Sequence, residues 1–185
     1  NSRHYISDIW KQNRRRLKDK AFLFECMSLC DSENKLEIEL IEYTRKILDA
    51  LELSHGAAHN EIILTNDGPV LIEINARLMG ASIEDEAFKQ ALDNTQAELL
   101  ALVYSNHNLF LKDFADKKYI KKQHLNEVSF IYEKNGILLD FPKKYSIERM
   151  FSFFCFSGLN QIGNAVKKTE DTLGHPGYVY LVHHD

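Results

Sequence analysis

AAHNEIILTNDGPVLIEINAR, residues Ala57–Arg77, is the stretch on which the fold turns. Apolar residues alternate on both sides of Asn66-Asp67-Gly68, which reads as a three-residue hairpin loop with Gly where a left-handed residue is wanted. That loop predicts Thr65 opposite Pro69, Ile63 opposite Leu71, Glu61 opposite Glu73 and His59 opposite Asn75. Side chains alternate faces along a strand. His59, Glu61, Glu73, Asn75 and Arg77 are therefore expected on one face, and Ile62, Leu64, Ile72 and Ile74 on the other. Like charges directly opposite one another destabilise a sheet by up to ~1 kcal/mol. A cation would turn that liability into a site. Two carboxylates and an amide oxygen are hard ligands of the kind Mg²⁺ accepts alongside phosphate oxygens.

The plainer alternative is a solvated polar face from which the glutamates diverge into water, as charged strand residues usually do. Two details weigh against it. The face lacks the usual mixture of Lys, Thr and Ser, and Arg77 is the lone cation beside two anions in this stretch.

The same residues carry a family resemblance. H-x-E at His59–Glu61, a short turn, then G-P-x-L-I-E-I-N-A-R-L-x-G resembles the metal-binding end of the ATP-grasp enzymes. These are carboxylate–amine and related ligases, and the branch it resembles holds L-amino-acid ligases and relatives of phosphoribosylglycinamide synthetase. The resemblance is dense over Gly56–Gly80, looser over the rest of Tyr5–Tyr104, and faint beyond, at Gly158 and Pro176-Gly177-Tyr178. It implies ATP and Mg²⁺ as cofactors, with Mn²⁺ as a substitute. Glu61 and Glu73 would hold the ion between nucleotide phosphates, and Asn75 would complete its shell. Arg77 would touch the transferred phosphoryl group or the acyl phosphate. His59 sits where some amino-acid ligases carry a His near the substrate.

The bulk numbers narrow the class. A chain of 185 residues with 44% hydrophobic and 27% charged residues has the composition of a soluble globular protein with a substantial core. Its net charge of -4 gives no electrostatic case for nucleic acid. Cys26, Cys30 and Cys155 are odd in number and lack a zinc spacing, so reduced thiols and a cytoplasmic setting are expected. No apolar run reaches the length of a membrane span and no signal-peptide pattern opens the chain. The chain starts at Asn1 and enters strand-like sequence by Tyr5, as a piece of a longer protein would. Its eight glycines are scattered and form no phosphate loop. The resemblance therefore implies a partner lobe of the same protein, carrying a lysine and a Gly-rich loop.

Along the chain, His4–Trp10 reads as a strand, Lys11–Lys20 as a basic loop, and Ala21–Cys30 as a buried strand. Asp31-Ser32 offers a cap for a helix running to Leu53, with a core stripe of Leu36, Leu40, Tyr43, Ile47 and Leu51. A second helix is expected over Ile83–Tyr104, with Leu92, Leu99, Leu100 and Val103 inward and Glu84, Asp85 and Glu86 at its start. Asn106–Lys122 reads as a polar boundary. Glu127–Lys134 and Ile137–Phe141 flank Asn135-Gly136, a strong hairpin signal. Aromatics fill Tyr145–Phe156, and a final strand, Tyr178–His183, follows the turn Gly174–Gly177. His183-His184-Asp185 reads as a solvated terminus, with metal chelation as the lesser alternative.

The expected fold is α+β: the C-terminal lobe of an ATP-grasp domain over 1–105, an antiparallel sheet with helices on one side, then a small β-rich portion over 106–185. The expected parent activity is ATP-dependent ligation of a small, amino-acid-like carboxylate to an amine through an acyl phosphate. A non-catalytic ATP-grasp-like binding or assembly module is one alternative, and a cation-binding structural domain without nucleotide is another. Self-association is left open.

Overall fold

The computed structural model describes residues 3–16, 22–81, 83–141, 143–171 and 174–184. Two compact units emerge, each assembled from three separated segments. The first comprises Asn1–Ile9, Cys30–Ser82 and Leu92–Lys121; the second comprises Trp10–Leu29, Ile83–Ala91 and Lys122–Asp185. The expected division at 105/106 does not coincide with these units, because strands from both sides of it share one sheet.

That sheet forms the second unit. Its order is β1 (Trp10–Arg16), β2 (Phe22–Leu29), β5 (His124–Ser129), β9 (Tyr178–His183) and β7 (Phe153–Ser157), and every neighbouring pair is antiparallel. The α+β class and the antiparallel sheet are as expected. Leu23, Met27 and Leu29 alternate along β2 into the core, and Leu125 of β5 meets Val182 of β9 on a buried face. The helix α2 (Asp85–Leu92) buries Ala87, Phe88 and Ala91, with Phe88 tilted against Trp10 of β1 at 6.1 Å between rings.

The strand expected over His4–Trp10 is displaced. Residues 4–9 are irregular apart from one bridge, Ile6 to Lys118, and the strand is β1, Trp10–Arg16, instead. Residues 17–20 of the expected loop and Ala21 lie outside the described residues. Polarity misled that reading: β1 is an edge strand, where basic side chains discourage pairing with another chain. Arg14 lies 4.6 Å over the Phe24 ring, and Arg15 pairs with Glu25 at 2.9 Å across a bulge.

The Asn135-Gly136 hairpin does not form as expected. Gly136–Ile137 (β6) pairs with Ala165–Val166 (β8), and the Asn135 side chain instead accepts the Lys168 amide at 2.8 Å. The aromatic stretch becomes a short helix, α5 (Lys144–Glu148), and β7, whose Phe153 and Phe156 pack at 5.0 Å. The final strand β9 has the expected bounds.

Glu127 is buried opposite Tyr180, whose hydroxyl donates to its carboxylate at 2.7 Å. Burial pushes the Glu127 carboxyl up, and the tyrosine's hydrogen bond only partly offsets this. Its folded-state pKa thus lies above the unfolded one. The group contributes most stability below the ordinary carboxylate range and loses it as pH rises through the folded value. Glu127→Gln should flatten the fall in stability above pH ~4.5, read from denaturant melts at pH ~4.5 and ~7.5. Parallel pH profiles for variant and wild type would remove Glu127 from the account.

The first unit contains α1 (Lys35–Ala50), the hairpin β3 (His59–Thr65) and β4 (Gly68–Asn75), α3 (Gln96–Ser105) and α4 (His107–Asp113). Helix α1 starts later than expected, after Asn34. Ser32 does not cap it; its buried hydroxyl donates to the Tyr119 carbonyl at 2.7 Å. The α1 core is Ile41 and Leu48, while Leu36 and Leu51 are exposed. The stripe lies one position round the helix from the one expected.

The single helix over Ile83–Tyr104 is two, broken where Asp93 adopts φ 72°. Thr95 then caps α3 reciprocally: its side chain accepts from the Glu98 amide at 3.2 Å, and Glu98 accepts from the Thr95 amide at 2.9 Å. The Thr95-x-x-Glu98 capping box is legible in the sequence. Leu92, Leu99 and Val103 are buried as expected. Thr95→Ala should cost about 1 kcal/mol in a chemical melt, since the cap is buried as well as bonded. Unchanged stability would mean that the cap contributes nothing. The polar stretch after α3 is not a linker: Asn106 caps α4 through its side chain, accepting from the Leu109 amide at 3.1 Å.

Candidate functional site

Glu61 lies opposite Glu73, and His59 opposite Asn75, as the sequence predicts. The route to that register differs. The turn has two residues, Asn66 and Asp67, so Thr65 faces Gly68, Leu64 faces Pro69, Ile63 faces Val70 and Ile62 faces Leu71. Gly68 supplies the positive φ, 107°, and Thr65 braces the turn by donating to the Gly68 carbonyl at 2.8 Å. This pairing is one residue out of step with the expected one. A bulge between Glu61 and Ile62 corrects it: Ile72 on β4 has no partner, and from Glu61/Glu73 onward the expected register resumes.

The correction changes the faces as well. Ile63 and Val70 share the ribbon face of Glu61, and both are about half exposed, at 51% and 46%. Ile72 is 56% exposed and has no partner across the ribbon. On the polar side, Asn75 donates its amide N–H to the Glu73 carboxylate. Arg77 lies beyond the end of β4, so strand alternation no longer sets its face. Its guanidinium donates to the Leu78 carbonyl at 2.8 Å, close against Gly80. His59 has a buried Nδ1 with no hydrogen-bond partner among the described residues, and the same holds for Asn60 Oδ1.

One neighbour escaped the sequence reading. Tyr43 of α1, placed there in a core stripe, reaches the hairpin with its hydroxyl. That oxygen accepts the Leu71 N–H at 3.1 Å, one residue before the bulge. At the other end, Gly56 adopts φ 95° beneath the Tyr104 hydroxyl, where an added Cβ would lie 3.0 Å from the oxygen. A side chain there would crowd α3 and strain the backbone entering β3.

Among the described residues no group of three or more His, Cys, Asp and Glu is placed to hold a metal ion. The hairpin offers two carboxylates and an amide, a donor set made of oxygens. That set fits Mg²⁺, which keeps several waters and takes one or two carboxylates plus phosphate oxygens. Elsewhere, His183 faces His124 across β9 and β5; Asp185 of the terminal His-His-Asp lies outside the described residues. Cys26, Cys30 and Cys155 are free thiols, and no described helix is long and apolar enough to cross a membrane.

No family model matches the chain. Dapdiamide A synthase of Enterobacter agglomerans is 22% identical over 189 residues, covering 97% of this chain and 42% of that protein. The L-amino acid ligase from Bacillus licheniformis superposes with a TM-score of 0.72 at 14% identity, over 99% of this chain and 46% of that one. Phosphoribosylglycinamide synthetase from Anaerococcus prevotii gives 0.64 at 16% identity, over 94% and 44%. The chain thus spans under half the length of each. At these identities the fold is the shared property: the chain has the fold of the C-terminal lobe of the ATP-grasp ligases.

Proposed function

We propose that this chain supplies the metal–nucleotide wall of an ATP-dependent carboxylate–amine ligase. The observation that carries the reading is the pairing of Glu61 with Glu73 on adjacent strands, with Asn75 bonded to Glu73. Opposed carboxylates are unfavourable in a bare hairpin. They become favourable when a divalent cation and phosphate oxygens lie between them. Glu61, Glu73 and Asn75 would hold Mg²⁺, which neutralises phosphate charge during phosphoryl transfer when bound.

The chain's own residues then divide the work. Glu61 and Glu73 fix the polyphosphate's position, and Asn75 orients the Glu73 carboxylate. Arg77 faces the charge that builds on the transferred group. Phosphoryl transfer needs positioning and charge compensation more than a protein nucleophile. His59, with its unsatisfied buried Nδ1, is suited to a polar group of the carboxylate or amine substrate. The products are ADP, phosphate and an amide. The substrates are small and amino-acid-like, and the setting is cytoplasmic.

The test is a coupled assay of the full-length protein with Mg²⁺, ATP and a panel of amino acids, scored for ADP and, by mass, for the amide. Amino-acid-dependent ADP release with a matching amide is the expected result. The 185-residue chain by itself should release none, because one wall of a site leaves the ligand half-enclosed. ADP release that no carboxylate stimulates would overturn the ligase reading.

A further inference from the structure

We propose that the bulge at Ile72 creates the carboxylate pair and that Tyr43 is the positioning residue that holds it. This rests on the metal-site reading above. From Thr65/Gly68 to Ile62/Leu71 the hairpin runs in one register. Continued without a break, that register would set Glu61 against Ile72 and Glu73 against Asn60. Neighbouring pairs lie on opposite faces, so the two carboxylates would then point to opposite sides of the ribbon. The single unpaired residue, Ile72, brings Glu73 back opposite Glu61. Bulges of this kind re-aim side chains next to sites.

Local sequence does little to enforce the bulge. Ile72 is one of several β-branched residues in β4, and its side chain is 56% exposed, so burial does not select it. A lone two-stranded ribbon is marginal in water and its register weakly specified. The anchor comes from α1, which is fixed in the core by Ile41 and Leu48. Its Tyr43 hydroxyl accepts the N–H of Leu71, the residue directly before the bulge, at 3.1 Å. That bond pins β4 where the two registers diverge. Phenylalanine keeps the ring and removes the acceptor.

The experiment measures the dissociation constant of Mn²⁺ with a non-hydrolysable ATP analogue on the full-length protein, from the free-Mn²⁺ resonance signal. Tyr43→Phe should weaken binding about 3–10-fold, the scale of one neutral hydrogen bond. Deletion of Ile72 joins Leu71 to Glu73 and leaves Glu61 opposite Glu73 in an unbroken register. That variant should bind as wild type, with no further loss when Tyr43→Phe is added. Ile72→Gly, which keeps the extra residue, should bind as wild type and stay sensitive to Tyr43→Phe. A merely structural Tyr43 would lower the melting temperature and leave the dissociation constant unchanged, and that result would overturn the proposal. So would lost binding in Ile72→Gly, or an equal effect of Tyr43→Phe with and without Ile72. Glu73→Gln separates the two ideas. If it binds as wild type, the metal site itself is refuted. If it fails to bind while Tyr43→Phe binds normally, only the positioning role is refuted.

Discussion

Glu73→Gln in the full-length protein is expected to lower kcat for amide formation by about 10²–10³-fold, the scale for losing one preorganised electrostatic group. The substitution preserves shape and, on the proposed site, would remove a charge from the metal's shell when phosphoryl transfer most needs it. It also replaces the acceptor of the Asn75 amide with a neutral oxygen. Arg77→Ala should cut kcat more than it raises KM for ATP if, as proposed, its cation acts on charge that develops in the transition state. His59→Ala should be milder and appear chiefly in KM for the carboxylate or amine. Steady-state constants for the three variants decide the matter. Wild-type turnover in Glu73→Gln would mean that the paired carboxylates are only a polar face.

Gly177→Ala is expected to be the most damaging single change to the fold, at about 2–5 kcal/mol of stability. Gly177 adopts φ 136°, and an added Cβ would sit 2.8 Å from the Ser157 carbonyl oxygen and 2.9 Å from the Leu159 amide nitrogen. Both are backbone atoms and cannot swing aside. Gly177 also accepts the Phe130 N–H at 2.9 Å, where the chain leaves β5 for the aromatic cluster. Relief by shifting the backbone would therefore pull at β5, β7 and β9 together. A denaturant melt of the variant checks this, and a loss below about 1 kcal/mol would mean that the turn relaxes without cost.

The hairpin illustrates what a sequence makes legible. Asn66-Asp67-Gly68 marked the turn and the alternation marked the strands, so the Glu61/Glu73 pairing could be read. The bulge could not, because Ile72 has the composition of any strand residue and the N–H of the preceding Leu71 bonds to Tyr43, 28 positions away. The three-residue loop and the bulge each shift the register by one, which is why a wrong turn length still gave the right pairing. Edge strand β1 was misread because its Lys and Arg look like a loop; edges favour those residues, but only the sheet order identifies an edge. The break between α2 and α3 is legible in the capping box Thr95-x-x-Glu98, a stronger local signal than the apolar run across it. Asn135-Gly136 lost to a more distant pairing of β6 with β8, a tertiary preference that local turn chemistry does not encode.

The most direct measurement is a crystal structure of the full-length protein with Mg²⁺ and a non-hydrolysable ATP analogue. A Mg²⁺ ion bound by carboxylate oxygens of both Glu61 and Glu73 at about 2.0–2.1 Å, with phosphate oxygens completing its shell, is expected. A nucleotide-bound ion held by other residues, with Glu61 and Glu73 facing solvent, would contradict it.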